Sequence, residues 1–185
     1  VGIAIAPQDG ETRTELCRKA DIALYHAKSS GRSRFAIFGS EMDAMLQARR
    51  DIERDLRTAL GRDDQLAVHY QPLFSATTQA IIGVEALLRW RHPSNGWISP
   101  DVFIPIAEDT GMIEAIGEFV MRESCVAARR WPSLAVAVNV SAIELRNPAF
   151  ATKVAARLLE AGVDPRRLEL ELTESALTDP NGVCD

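Results

Sequence analysis

Val84-Glu85-Ala86-Leu87-Leu88-Arg89-Trp90 decides the fold of this chain, because a carboxylate and a guanidinium share one face of an otherwise apolar strand. Side chains alternate along a strand, so Val84, Ala86, Leu88 and Trp90 point one way and Glu85, Leu87 and Arg89 the other. Two later segments repeat the device. Asn139 and Ser141 oppose Val136, Val138 and Val140, and Glu169, Glu171 and Thr173 oppose Leu168, Leu170 and Leu172. A surface sheet with its polar row in water reads the same way. Helical patterns long enough for crossovers follow these strands, however, which makes them parallel neighbours whose second face is covered too. Carboxylates and a carboxamide on a covered face need a partner, and oxygen ligands of this kind suit a hard divalent cation such as Mg²⁺ or Mn²⁺.

The elements around these strands follow from local signals. Thr12 or Thr14 opens an amphipathic helix that runs to about Ser29, and Gly31 ends it. Arg34 to Phe38 is a short strand. Ser40 caps a charged helix that runs to about Leu60, with Asp43 spaced for a capping box. Its apolar positions Met42, Met45, Ile52, Leu56 and Leu60 lie near a heptad, interrupted by Arg49, so it reads as a connector packed on a neighbouring domain or as a coiled coil between protomers. Strands are expected over Gln65–Phe74, Ala80–Trp90, Leu134–Ser141 and Arg167–Thr173, with His92–Ser99 as a loop. Pro100 starts a helix that breaks at Thr110-Gly111 and resumes from Met112 to Arg130, and a further helix runs from Asn147-Pro148 to Gly162. Repeated βα units of this size predict a parallel α/β barrel of the TIM type, whose chemistry gathers at the C-terminal ends of the strands. Asn139 and Glu171 lie near such ends.

At 185 residues the chain has room for one full domain or parts of two, and its 46% hydrophobic and 25% charged content is ordinary globular usage. Its net charge is −5. Lys and Arg against Asp and Glu number six against four in residues 1–38, four against five in 39–61, and eleven against seventeen in 62–185. A basic stripe or stacking aromatics for duplex nucleic acid are missing. Cys17, Cys125 and Cys184 lack ligand spacing and read as free thiols, and His26, His69 and His92 are scattered, which predicts structural or surface roles and no Ser-His-Asp triad. No apolar run approaches a membrane span and no signal-peptide pattern opens the chain, which gives a cytoplasmic reading without membrane contact in these residues.

The segments Tyr70-Gln71-Pro72, Glu85-Ala86-Leu87-Leu88-Arg89-Trp90, Phe103-Ile104-Pro105 with Glu108 and Gly111, Asn139-Val140-Ser141 and Glu171-Leu172-Thr173-Glu174 occur in the order and approximate spacing of the EAL domain. This resemblance runs from about Arg62 to the C-terminus, with a family of bacterial cyclic di-GMP phosphodiesterases. The start of the chain, with Val1-Gly2-Ile3-Ala4-Ile5-Ala6-Pro7, Ala20-Asp21-Ile22-Ala23-Leu24-Tyr25 and Gly31-Arg32-Ser33-Arg34-Phe35, looks like the last strand, helix and terminal strand of a GGDEF diguanylate cyclase domain. The organisation implied is a GGDEF tail over 1–38, a linker helix over 39–61 and the N-terminal portion of an EAL barrel over 62–185. The resemblance implies that Glu85, Asn139 and Glu171 are catalytic metal ligands, that Gln71 and Arg89 contact the dinucleotide, Arg89 at a phosphate, and that Glu174 has a supporting role.

The mechanism implied is metal-assisted hydrolysis, in which two cations activate a bridging water that attacks phosphorus in line and opens cyclic di-GMP to linear pGpG. The family's later motifs, including Asp-Asp-Phe-Gly and a lysine near the water, do not occur before Asp185. About half a barrel is therefore expected, with an open sheet edge. Three readings follow: part of a phosphodiesterase, a cyclic di-GMP receptor without turnover, and an inert segment. A homodimer through the EAL-like part or the linker helix is compatible with each of the first two.

Overall fold

The computed structural model describes residues 1–29, 31, 33–62 and 64–172. They divide into two compact units, Val1–Arg54 and Asp55–Asp185.

The first unit is a βα β arrangement. Strand β1 (Gly2–Ile3) pairs in parallel with β2 (Ala36–Ile37), and helix α1 (Arg13–Ser29) is the crossover between them. Thr12 resolves the choice of cap: its Oγ1 accepts from the Glu15 N–H at 3.3 Å, and its own N–H donates to Glu15 Oε2 at 3.3 Å. That reciprocal pair satisfies two of the donors a helix start leaves open. Ile22, Ala23 and Ala27 are its buried residues. Gly2 is required by close approach, because a Cβ there would run into the Ala20 carbonyl oxygen. Ser40 is the first helical residue of α2 (Ser40–Leu60), and Asp43 faces Arg18 of α1 at 3.1 Å, an exposed ion pair of small energetic weight.

The second unit begins within α2, where Leu56 and Ala59 are fully buried. It then runs β3 (Leu66–Phe74), β4 (Ile81–His92), β5 (Gly96–Ile98), α3 (Pro100–Thr110), α4 (Ile113–Arg130), β6 (Ala135–Val140), α5 (Ala142–Leu145), α6 (Phe150–Ala161), a 3₁₀ turn (Pro165–Arg167) and β7 (Leu168–Leu172). The sheet order is β3-β4-β6-β7, with β5 attached to β4. Strands β4, β6 and β7 are parallel, as a barrel of βα units requires. Strand β3 departs from that expectation and is antiparallel to β4. Only a tight turn separates them, closed by the Ser75 N–H to the Ala80 oxygen at 2.9 Å, and a parallel partner would need a crossover of a dozen residues or more. The segment expected as a loop after His92 is likewise a second hairpin, with Trp90 opposite Ile98 and His92 opposite Gly96. The helix expected from Met112 starts at Ile113, and Gly111, at φ 74°, makes the break that the sequence predicted.

The core lies between the sheet and helices α3 and α4. Val84, Ala86, Leu88 and Trp90 of β4 and Val136, Val138 and Val140 of β6 are all buried. Ile113, Ile116, Val120, Ser124 and Ala127 recur at helical spacing along the buried stripe of α4. Trp90 is fully buried, packs edge-on against Phe103 at 5.4 Å, and donates its indole N–H to Gln65 Oε1 at 3.2 Å. His92 is buried too: its Nδ1 accepts from the Ser94 and Asn95 N–H groups at 3.2 and 3.0 Å, which leaves Nε2 as the donor to Asp55 at 3.1 Å. This histidine therefore fastens the hairpin to the end of α2, the structural role anticipated for it. Among the described cysteines, Cys17 is exposed and Cys125 buried, both as free thiols.

Candidate functional site

The sheet face opposite that core carries the polar row. Glu85 and Glu171 are half-exposed, and Asn139 and Gln71 are exposed. The backbone register aligns them across four strands: Gln71 stands opposite Glu85 between β3 and β4, and Asn139 opposite Glu171 between β6 and β7. Glu85 itself is level with Ala137, two residues before Asn139, so Asn139 meets it on the diagonal. The contact is direct, with Asn139 Nδ2 donating to Glu85 Oε1 at 2.8 Å.

Glu171 is held above the usual carboxylate range, first by burial and then by the negative charges of Glu85 and Glu169. Glu85, Asn139 and Glu171 on neighbouring strands of one face offer hard oxygen donors, the type that suits a divalent cation such as Mg²⁺ or Mn²⁺. Among the described residues no three His, Cys, Asp or Glu side chains form a cluster of metal-ligand type. Glu174 lies outside the described residues.

Arg89 stands apart from the row. It is opposite Ala67, four residues along β4 from Glu85, or about 13 Å at the rise of an extended strand. Its Nη1 donates to the Leu88 carbonyl at 2.9 Å, and it borders a cavity of about 430 Å³ shared with Glu108, Asn139 and Ser141.

Beneath Asn139 the chain turns at Ser141 into α5, and here the structure shows residues that the strand reading missed. Ser141 is the N-cap of α5, with Glu144 completing a capping box. The signal was in the sequence as Ser141-Ala142-Ile143-Glu144, the S-x-x-E pattern. Glu144 is buried, and its carboxyl is pushed up to about 7, chiefly by burial and secondarily, in the raising sense, by the charges of Glu114 and Glu108. The folded state thus favours the protonated form. Its contribution to stability is full below the ordinary carboxylate pKa of 4.5 and is lost as pH rises through about 7. Chemical denaturation of wild type against Glu144→Gln should show the wild type losing about 2 to 3 kcal/mol between pH 5 and pH 8 relative to the variant. Parallel pH profiles for the two proteins would contradict the assignment.

A mixed sheet whose strands β4, β6 and β7 run parallel, with an acidic, amide-bearing row on one face, defines a barrel-type α/β domain. The EAL domain family model matches residues 53–185, and the chain belongs to that family. It is 48% identical over 178 residues to an uncharacterized signaling protein of Caulobacter vibrioides, covering 96% of this chain and 22% of that protein. It is 45% identical over 180 residues to the bifunctional diguanylate cyclase/cyclic di-GMP phosphodiesterase MucR of Pseudomonas aeruginosa, covering 95% of this chain and 26% of that one. The solved structure of the MucR phosphodiesterase in complex with cyclic di-GMP superposes with a TM-score of 0.65 at 42% identity, over 71% of this chain and 55% of that chain. The chain thus spans about a quarter of the length of these curated relatives. No helix among the described residues is long and apolar enough to cross a membrane.

Proposed function

We propose that these residues carry the metal-binding part of a site that hydrolyses cyclic di-GMP to linear pGpG. The observation that carries this reading is the aligned row Gln71, Glu85, Asn139 and Glu171, tied by the bond between Asn139 and Glu85. The likeness to MucR, named for this activity, supports it. Glu85, Asn139 and Glu171 would hold Mg²⁺ or Mn²⁺, which supplies Lewis acidity and an activated water. Gln71 contacts the dinucleotide beside Glu85, and Arg89 holds a phosphate farther along β4. Residues 1–38 act as the tail of a GGDEF domain, 39–61 as a linker helix and 62–185 as part of the EAL domain, in a cytoplasmic protein. The parallel β1 and β2 joined by α1 are consistent with the first assignment.

The test is an assay of the full-length protein carrying these residues, with cyclic di-GMP and Mg²⁺ or Mn²⁺, read as pGpG by chromatography. Formation of pGpG supports the proposal, binding without product makes the protein a receptor, and neither removes the substrate assignment. Arg89→Ala should weaken dinucleotide binding by about 1.5 to 3 kcal/mol, roughly ten- to hundredfold in Kd, for a lost charge-assisted bond. Equal affinity by titration calorimetry would take Arg89 out of the site.

A further inference from the structure

We infer that Glu108 and Glu144 are positioning residues that set the height of Asn139 by clamping Ser141 from two sides; this rests on the role proposed above for Asn139. Ser141 uses every hydrogen-bonding group it has. Its Oγ accepts from the Ile143 N–H at 3.2 Å and donates to Glu108 Oε1 at 2.5 Å, and its N–H donates to Glu144 Oε2 at 3.1 Å. Glu108 comes from the last turn of α3 and Glu144 from α5. A third helix closes the clamp. A Cβ at Gly117 of α4 would run into Glu144 Oε1, so a side chain there would make the carboxyl shift from its present place beside the serine. Three helices thus converge on the residue where β6 ends, two positions beyond Asn139.

The chemistry argues that the clamp does more than start α5. A serine cap needs one acceptor and one donor, and the capping box alone supplies them. Glu108 adds a second carboxylate from another element, against Glu144 that is already buried, with Glu114 of α4 a further acidic neighbour and Lys153 of α6 the basic one. Gathering two carboxyl groups on one residue costs desolvation and mutual repulsion that a helix cap of four residues does not call for. It is intelligible where an exposed Asn139 must be held in register with Glu85 and Glu171. Groups that orient a ligand from behind are commonly worth ten- to a hundredfold in metal affinity or activity.

Glu108→Ala and Ser141→Ala in the full-length protein should each lower kcat for cyclic di-GMP by about ten- to a hundredfold with KM little changed, and weaken Mn²⁺ affinity, read by calorimetry without substrate, by a similar factor. Glu108→Gln keeps the acceptor for Ser141 and should restore both to within about threefold of wild type, within the scatter of such hydrogen-bond replacements. Gly117→Ala, which expels Glu144 from the serine, should move kcat and Mn²⁺ affinity in the direction of Glu108→Ala. A folded Glu108→Ala protein with wild-type kcat and wild-type Mn²⁺ affinity overturns the inference while leaving the phosphodiesterase reading intact. A wild type that binds Mn²⁺ but makes no pGpG overturns that reading alone, since the Mn²⁺ titrations still test the clamp, and a wild type that does neither overturns both.

Discussion

Glu85→Ala is expected to cut cyclic di-GMP hydrolysis by at least about a thousandfold, some 4 kcal/mol of transition-state stabilisation, while the fold persists. The side chain is half-exposed on the face opposite the core, and its strand neighbours Val84 and Ala86 supply the burial that holds β4. Removing it therefore opens no cavity, and the unfolding free energy should change by less than about 1 kcal/mol. What is lost is local. Asn139 Nδ2 loses its acceptor at 2.8 Å, and Glu171 loses one of the negative charges that hold its carboxyl high. Glu85→Gln separates the two effects, because it keeps an oxygen for Asn139 and removes the charge. Turnover assays with Mg²⁺, run beside thermal melts, check the prediction. Wild-type turnover in Glu85→Ala would remove this residue from the chemistry, and a collapsed melting temperature would mean that its role is structural.

How far the sequence predicts these features depends on the range of the interaction that fixes each one. The strands β4 and β6 are legible because their period-two alternation records which side meets the core. Gly111 and Gly162 are legible as helix ends because a left-handed residue at that position is a local requirement, and both adopt it, at φ 74° and 63°. The direction of β3 was not legible from its own residues, since the turn that reverses the chain uses Gln79 at φ 58° in place of the usual glycine or asparagine. Strand β5 has three residues, too few for any period to emerge. At the site, the resemblance named Gln71, Glu85, Asn139 and Glu171, and the register aligns all four. The contact of Glu108 with Ser141 joins residues 33 apart in the chain, and no local pattern encodes it.

Arg167 is the strongest case of such a hidden contact, and Arg167→Ala is expected to destabilise the second unit by about 4 kcal/mol. Its guanidinium sits at the C-terminal end of α4, where Nη2 donates to the carbonyl oxygens of Ala128, Trp131 and Leu134 at 2.7, 2.6 and 2.8 Å. Nε adds a longer bond to the Leu134 oxygen at 3.2 Å. Hydrogen bonds to a charged group contribute about 1.5 to 3 kcal/mol each, and a cation at the negative end of a helix dipole adds about 0.3 to 1 kcal/mol. Half-burial and sharing of one nitrogen among three acceptors reduce that sum, which leaves about 4 kcal/mol. Lysine cannot replace the fork: a single ammonium on a flexible stem reaches fewer of these oxygens at once, so Arg167→Lys should recover less than half of the loss. The consequence extends to the site, because Arg167 immediately precedes β7 and anchors the point from which Leu168 pairs with Val136 and Glu171 with Asn139. Denaturant titration measures the stability loss, and Mn²⁺ affinity of the folded variant measures the effect on Glu171. A loss below about 1 kcal/mol, the range of an ordinary surface substitution, would show that water satisfies those carbonyls as well as the guanidinium does.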